Sequence, residues 1–473
     1  MGDFSLLLPE LVVLLAALVA FAGSALTERY RPIWAATTLV AAAAVVVTAA
    51  LFTATGSPLF EGIYQVDAFS QLLKLGLTVG LLLTLLASCE VPTVRAVARP
   101  DLPIFLTLST LGMMLLVSAT ELLTLYVALE LSAYGLYVMA ALHKDQRMAG
   151  EAGVKYLLFG GGASAITLYG LSLVFGAAGS TYLSDVVQVA QAAPSALFVV
   201  GVVLTLSGLF FKLAVLPFHA WAPDTYQGSP HQVATFIGTT SKVAAVGVLV
   251  RVLTLGTGST TITTLLVALA IVSMTVGNLA ALAQRDVKRL LAWSTVAHAG
   301  YVLLGVVTLS EVGVASALFY GIVYLIVAFC AFLVVTTLGR GGSNPTLSDL
   351  TGLYKRAPLI AIVLLAGMFG LAGVPPTPGF AGKWFIFSAA MQGGLFWLVL
   401  IGAINATISL YYYLRVVRAA YQTAAGDGAL PLTVTPASKL AAVIAMALVA
   451  FTGFYPGPLW DLAERAARAL MGG

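Results

Sequence analysis

The sequence predicts an all-α polytopic membrane protein with about fourteen transmembrane helices, and three observations carry that prediction. Hydrophobic residues fill 60% of the 473 positions and charged ones only 9%, where soluble proteins carry about 25% charged. A soluble chain of this length would form about three domains, and so few charges could not coat even one of them. The mean hydropathy is +1.01, and apolar runs of about 20 residues recur along the whole chain. Run length, with the need to satisfy every backbone group inside the bilayer, selects helices over barrel strands. The basic residues lie scattered in short clusters between the runs, so the net charge of +4 is no nucleic-acid footprint.

Taken in order, the runs that can span lie at about 6–26, 33–55, 69–88, 102–119, 121–142, 151–178, 194–218, 232–255, 261–283, 290–309, 314–338, 358–391, 395–421 and 437–455. Pro, Gly or charge separates each from the next. Asp3 precedes the first run instead of a basic patch, and no small-residue cleavage site follows it, so the first span reads as a retained helix. Cys89 and Cys330 both lie in or beside apolar runs and make neither a disulfide framework nor a metal or iron–sulfur spacing.

Lys and Arg placement tests the number of spans. With the N-terminus outside, the odd-to-even connections lie inside. They hold 15 of the 23 basic residues, among them Arg29, Arg31, Arg95, Arg99, Lys144, Arg147, Lys288 and Arg340. The other side holds Arg251, Arg465 and Arg468 alone. That asymmetry is the positive-inside rule, and one missed span would scramble it for everything downstream. Both termini are therefore expected on the outer side.

Five lysines remain inside the runs: Lys74, Lys155, Lys212, Lys242 and Lys383. An ionisable group at membrane depth costs a few kcal/mol or more and marks a transport path by default. Lys74 lies one and a half turns into span 3, from where it can snorkel to the headgroups. Lys155 has Glu151 at i−4, which allows a plain surface pair as readily as a relay position. Lys212 and Lys242 are flanked on both sides by apolar or small residues, and Lys383 by Trp384, Phe385 and Phe387. A functional role leads for these three.

Among the acids, Glu130 stands at mid-helix, and Tyr126, Tyr134 and Tyr137 share its helical face. A buried carboxylate without a partner would be protonated or strongly destabilising, so a buried lysine, Lys212, is its expected neighbour. A static ion pair locking two helices is the competing reading. Two spans are broken: span 7 by Pro217 and span 12 by Pro375, Pro376 and Pro378. Proline frees carbonyls and kinks a span, and discontinuous helices mark ion sites in transporters. Lys212 precedes Pro217 by five residues and Lys383 follows Pro378 by five. Because spans 7 and 12 cross in opposite directions, both lysines fall on the outer side of their breaks. Two inverted five-helix repeats, spans 4–8 and 9–13, would produce that arrangement. The chain then divides into spans 1–3 (1–100), the two repeats (101–256 and 257–422), and span 14 with a short tail (423–473), all in one membrane domain.

His298 in span 10 can relay protons, or serve as a hydrogen-bonded structural histidine. His219 and His231 flank Asp224 too loosely for a metal site. Gly160-Gly161-Gly162 lacks a following Gly-Lys-Ser/Thr and points to close helix packing instead of phosphate binding. No nicotinamide, flavin, haem or cluster signature is found, so the chain is expected to hold no cofactor.

Several ordered segments carry a family resemblance: Ala128-Leu129-Glu130-Leu131, Gly153-Val154-Lys155-Tyr156, and Phe210 through Gly228 with its Lys212-Leu213-Ala214-Val215-Leu216-Pro217-Phe218-His219 core. Thr240-Ser241-Lys242, Arg289-Leu290-Leu291-Ala292-Trp293-Ser294 and Gly379-Phe380-Ala381-Gly382-Lys383 follow. In these the chain resembles the antiporter-like membrane subunits of respiratory complex I, most closely the subunit N type. The long lateral helix of the L type has no room here, and the M type carries Glu where Lys383 stands.

The resemblance implies fourteen helices with two inverted repeats, a Glu130–Lys212 pair, a central Lys242 and a distal Lys383. It also implies secondary relay roles for Lys155 and His298. Ser229-Pro230-His231-Gln232-Val233 departs from the family's Pro-x-Pro-Val, so the start of span 8 differs. The expected function is proton translocation in the membrane arm of a redox-driven NADH:quinone oxidoreductase of a bacterial inner membrane. The expected partners are a neighbouring antiporter-like subunit, small membrane subunits and lipids, with the peripheral redox arm reached indirectly. A stand-alone Mrp-type cation/proton antiporter subunit, a membrane subunit of a related hydrogenase or other dehydrogenase complex, and a passive membrane spacer are the alternatives.

Overall fold

The computed structural model describes residues 4–56, 58–143, 147–192, 194–254, 259–339, 343–423 and 432–472. Asp3, Lys144 and Arg340 lie outside the described residues.

Each predicted run folds as helix. Spans 1–6 are α1 (Leu8–Leu26), α2 (Tyr30–Ala50), α3 (Ala68–Ala87), α4 (Asp101–Ser118), α5 (Leu122–Ala140) and α6 (Arg147–Ala178). A short helix, α7 (Leu183–Ala192), precedes span 7, which is α8 (Ala196–Leu213). Beyond its break comes the two-turn α9 (Trp221–Gly228). Span 8 is α10 (His231–Gly238) continued by α11 (Thr240–Leu253), and spans 9–11 are α12 (Thr260–Leu282), α13 (Val287–Val306) and α14 (Glu311–Leu338). After α15 (Leu353–Arg356), span 12 is α16 (Pro358–Ala372) and α17 (Pro378–Gln392). Spans 13 and 14 are α18 (Phe396–Tyr421) and α19 (Pro436–Phe454), and the tail is itself a helix, α20 (Gly457–Met471). Polar caps set many starts: Asp67, Ser195, Asp286, Ser310 and Thr435 each accept a backbone N–H of the first turn.

Twelve helices among the described residues are long and apolar enough to cross a membrane by length and composition alone. The other two crossings are α13, which carries Lys288, Arg289 and His298, and the broken pair α16–α17. Hydrogen bonds between connections support counting them. Gln65 N–H donates to Ser118, Leu122 to Thr181, and Arg251 to Val117; all of these lie at even-to-odd connections or the helix ends beside them. Val287 N–H donates to Pro345, Gly352 to Gln422, Leu432 to Arg356, and the Gln232 side chain to Glu90; these lie at or beside odd-to-even ones. The two sets gather at opposite ends of the bundle, as fourteen alternating crossings require. The second set, rich in Lys and Arg, is the basic end.

The α10–α11 pair is buried along its whole length and α14 from Gly313 to Thr337, and together they form the centre. Most of the surface of α1, α2, α6 and α18 remains outside, and it is apolar. The tail helix α20 places Leu459, Ala463, Ala466 and Ala467 on one buried face, the i, i+4, i+7 spacing of an amphipathic helix. That face packs on α14 and α3, with the Trp460 ring 4.0 Å from that of Phe385.

The breaks follow from proline chemistry. Pro217 cannot donate to the Leu213 carbonyl, and its ring would strike it, so α8 ends at Leu213 with Ala214 left-handed (φ 66°, ψ 40°). Pro375 and Pro376 act likewise on Leu371 and Ala372, where α16 ends. Pro378 is different: it is the first residue of α17 and opens that helix.

Candidate functional site

Both breaks leave carbonyls at the ends of α8 and α16 without helical donors, and buried lysines take them up. Lys242 on α11 is 2% exposed, and its Nζ donates to the Lys212 carbonyl at 2.6 Å. Trp221 Nε1 donates to the neighbouring Phe211 carbonyl at 3.0 Å, which holds its ring 5.2 Å beneath the Lys242 ammonium. Lys383 on α17 is 5% exposed and donates to Leu371 and Ala372 at 3.1 and 2.8 Å. The tyrosine ring of Tyr301 lies 4.9 Å from its Nζ. The negative end of a broken helix thus faces an ammonium in each case.

Lys212 points away from its own carbonyl and donates to Ser132 Oγ on α5 at 2.7 Å. Glu130, two residues earlier on α5 and bonded toward α6, accepts from Ser164 Oγ at 2.5 Å, and Tyr126 bonds the same hydroxyl at 2.9 Å. Glu130 and Lys212 line one small cavity with Tyr137, Tyr156, Gly160 and Ser164, but do not touch as an ion pair. Gly160 is required there, since a Cβ would come within 2.2 Å of the Tyr137 hydroxyl. Gly161 and Gly162 face open space, so close packing is the role of the first glycine alone.

On the far side of Lys242 a second cavity, with room for about one water, is lined by Lys242, Thr295, His298 and Tyr324. His298 bonds Tyr320 through Nδ1 at 2.5 Å and Tyr413 through Nε2 at 2.9 Å. Its ring lies 5.9 Å from that of Tyr301, whose other neighbour is Lys383. The geometry therefore orders the groups as Glu130, Lys212, Lys242, His298, the tyrosines and Lys383. Among the described residues none of these three lysines contacts a carboxylate.

The transmembrane family of NADH:quinone oxidoreductase and Mrp antiporter subunits matches residues 119–409, the stretch that holds Glu130, Lys212, Lys242, His298 and Lys383. NADH-quinone oxidoreductase subunit N 2 of Syntrophobacter fumaroxidans is 48% identical over 87% of this chain and 88% of its own. The same-named protein of Solidesulfovibrio magneticus is 43% identical over 99% and 100%. The chain belongs to the subunit N family. A solved chain of respiratory complex I from Thermus thermophilus shares this subunit N fold at a TM-score of 0.83 and 32% identity, covering 97% of this chain and 100% of that one.

Some positions in this subunit N chain lie apart from the axis. Lys155 sits at the basic end in a half-exposed network, 2.6 Å from both Glu151 and Asp224. Arg289 meets Asp224 from the other side at 2.5 Å. Partial burial raises the Asp224 carboxyl, but the bonds from Lys155 and Arg289 outweigh it and hold the group below the usual carboxylate range. Asp224 is thus ionised at neutral pH.

Lys74 does not snorkel. It is fully buried, 2.7 Å from Glu10 on α1, whose carboxylate also accepts from the Tyr64 hydroxyl. Glu130 is therefore not the sole acid beside the interior lysines. Glu10 carries no signal in the sequence because it lies in the first turn of its helix, where a carboxylate ordinarily reaches water.

Lys288, counted from sequence as a side marker, is also fully buried. It donates to the Ser229 carbonyl at 2.7 Å, Asn344 Oδ1 at 3.0 Å and His231 Nδ1 at 3.4 Å. His231 Nε2 faces the Gly339 carbonyl, which only accepts, so that nitrogen carries the imidazole proton. The departure at Ser229–Val233 thus forms a lysine–histidine contact at the start of α10. A spacing signal existed for it: Lys288, Thr295 and His298 share one helical face.

Proposed function

We propose that this chain moves protons across the membrane as a membrane-arm subunit of a redox-driven NADH:quinone oxidoreductase, through Glu130, Lys212, Lys242, His298 and Lys383. One observation carries the relay: three buried ammoniums sit on freed helix-end carbonyls or a hydroxyl, with no carboxylate among the described residues fixing their charge. A proton on one lysine raises the cost of a proton on the next, so charge passes along the row. Glu130, across a cavity from Lys212, is placed to draw a proton toward that end when the two approach. Two inverted five-helix repeats, 101–256 and 257–422, place the two broken spans symmetrically about Lys242.

Protons reach the row from the basic end along the seam between α10–α11 and α13. There Lys288 meets His231 Nδ1, and Lys242, Thr295 and His298 line one cavity. Lys155 and Asp224 form a fixed charged rim at that end. The basic end is the cytoplasmic side of a bacterial inner membrane, and both termini lie outside.

The chain is not catalytic by itself and holds no cofactor. Each proton moved against the membrane potential costs about 2.3 kcal/mol per 100 mV, and the redox subunits supply that energy. Neighbouring membrane subunits cover the exposed α5–α6 surface around Glu130 and Tyr134. In the assembled complex in sealed vesicles, Lys212→Ala should lower both proton pumping and coupled electron transfer by at least about tenfold, the scale of a removed relay group. An unchanged proton-to-electron ratio at normal turnover would sink the relay.

A further inference from the structure

A cavity of about 460 Å³ opens at the basic end between the α1–α2 connection and the α3–α4 connection. Arg29, Arg31 and Arg99 line it, with Tyr30, Cys89 and Glu90. The proton row passes elsewhere and uses none of these groups. Three guanidiniums meet one carboxylate, so the cavity carries an excess of positive charge. Arg31 and Glu90 are 3.7 Å apart with side chains 78% and 42% exposed, too loose and too wet a pair to neutralise the site. Arg99 is held by its Nε–H bond to the Val94 carbonyl at 3.0 Å, a bond that does not use the two terminal nitrogens of its fork.

The surroundings are layered as a membrane interface is layered. The Tyr30 hydroxyl donates to the Ser88 carbonyl, and Trp34 Nε1 to Leu85 at 2.6 Å, so two aromatic rings are fixed at the level where such rings collect. Beyond them the outer faces of α1 and α2 are apolar and bare, with Phe21 62% and Leu39 73% exposed.

We propose that this cavity binds the phosphodiester headgroup of an anionic phospholipid, with the acyl chains lying along α1 and α2. A guanidinium fork matches phosphate oxygens two at a time, and basic pockets between helices at this depth suit anionic headgroups. The apolar wall favours a diacyl lipid over free phosphate. Glu90 weakens the site and sets its affinity.

The test uses the full-length chain in mixed micelles, with phosphatidylglycerol as the probe and native mass spectrometry as the readout. Each arginine replaced by Gln should weaken binding about fivefold, and Arg29→Gln/Arg31→Gln/Arg99→Gln together should abolish retention of the bound lipid. Glu90→Gln should bind phosphatidylglycerol severalfold more tightly, a gain that a misfolded variant cannot mimic. Equal retention by the triple variant, equal binding of phosphatidylcholine, or no gain in Glu90→Gln would each overturn the proposal. Displacement of the lipid by inorganic phosphate at equal concentration would overturn it too, in favour of a free-anion site.

Discussion

At the scale of single residues, the axis depends on positions that are not themselves charged. Gly373 ends α16 with φ +81°, and a Cβ there would lie 2.9 Å from the Lys383 Cδ. Gly373→Ala therefore meets both backbone strain, about 1–2 kcal/mol, and the side chain that carries the distal ammonium. It should reduce pumping nearly as far as Lys383→Met does. Gly394 also has positive φ (+75°), but open space around its Cβ position. Gly394→Ala should cost similar stability and leave pumping intact, and equal pumping defects in the two variants would refute the steric argument. The Glu10–Lys74 pair invites a different test. Glu10→Gln leaves a lysine buried beside a neutral amide, a loss of about 3–5 kcal/mol when a buried pair is broken. Glu10→Leu/Lys74→Met together should recover most of that, because the combined desolvation cost disappears with the charges. Thermal retention of the subunit in the purified complex reads both. If the double variant is as unstable as the single one, the pair has a role beyond clamping α1 to α3.

At the scale of elements, the breaks join fold to function. Trp221 lies just beyond the end of α8, stacked on Tyr156 at 4.5 Å between ring centroids, bonded to the Phe211 carbonyl and set beneath Lys242. Trp221→Phe keeps an aromatic ring but loses the donor and the pyrrole half of the indole, and should cost about 1–2 kcal/mol. Trp221→Ala opens a cavity at the centre and should cost about 3–5 kcal/mol, with pumping lost at temperatures where the fold survives. Differential scanning calorimetry of the complex beside vesicle acidification separates the two effects, and equal melting of both variants would rule out the packing account. The breaks were legible in the sequence, since each proline forbids the helix at its own i−4 carbonyl. Which groups then occupy the freed carbonyls was not legible. Lys242 is thirty residues from its acceptor Lys212, and only packing shows that α11 runs past the end of α8. Glu130 and Lys212 were legible as neighbours, but the Ser132 and Ser164 hydroxyls that hold them apart were not, because serine in a helix carries no distinguishing pattern. The tail helix α20 falls outside a search for apolar runs because its 15 residues are too few to span and its outer face is polar, although Leu459, Trp460, Leu462 and Leu470 all pack on the core.

At the scale of the whole molecule, the sequence predicts direction as well as crossings. The basic residues select one end, and hydrogen bonds group the same connections at that end independently of charge. Those bonds group the connections at two ends, while the proposed cytoplasmic position of the basic end rests on the charge asymmetry alone. A labelling experiment isolates that second step. In a background with Cys89→Ser and Cys330→Ser, Gln191→Cys places a thiol at the exposed end of α7, on the side of the even-to-odd connections. Ser343→Cys places one at the basic end, and both positions are exposed. A membrane-impermeant maleimide added to intact spheroplasts should label Gln191→Cys and spare Ser343→Cys until the membrane is opened. Labelling of Ser343→Cys first would invert the molecule and with it the direction of uptake along the α10–α13 seam. Labelling of both from outside would remove the alternation itself, and the row of lysines would then no longer separate two aqueous compartments. The positions of the charges and the direction of the protons therefore stand or fall on the same result.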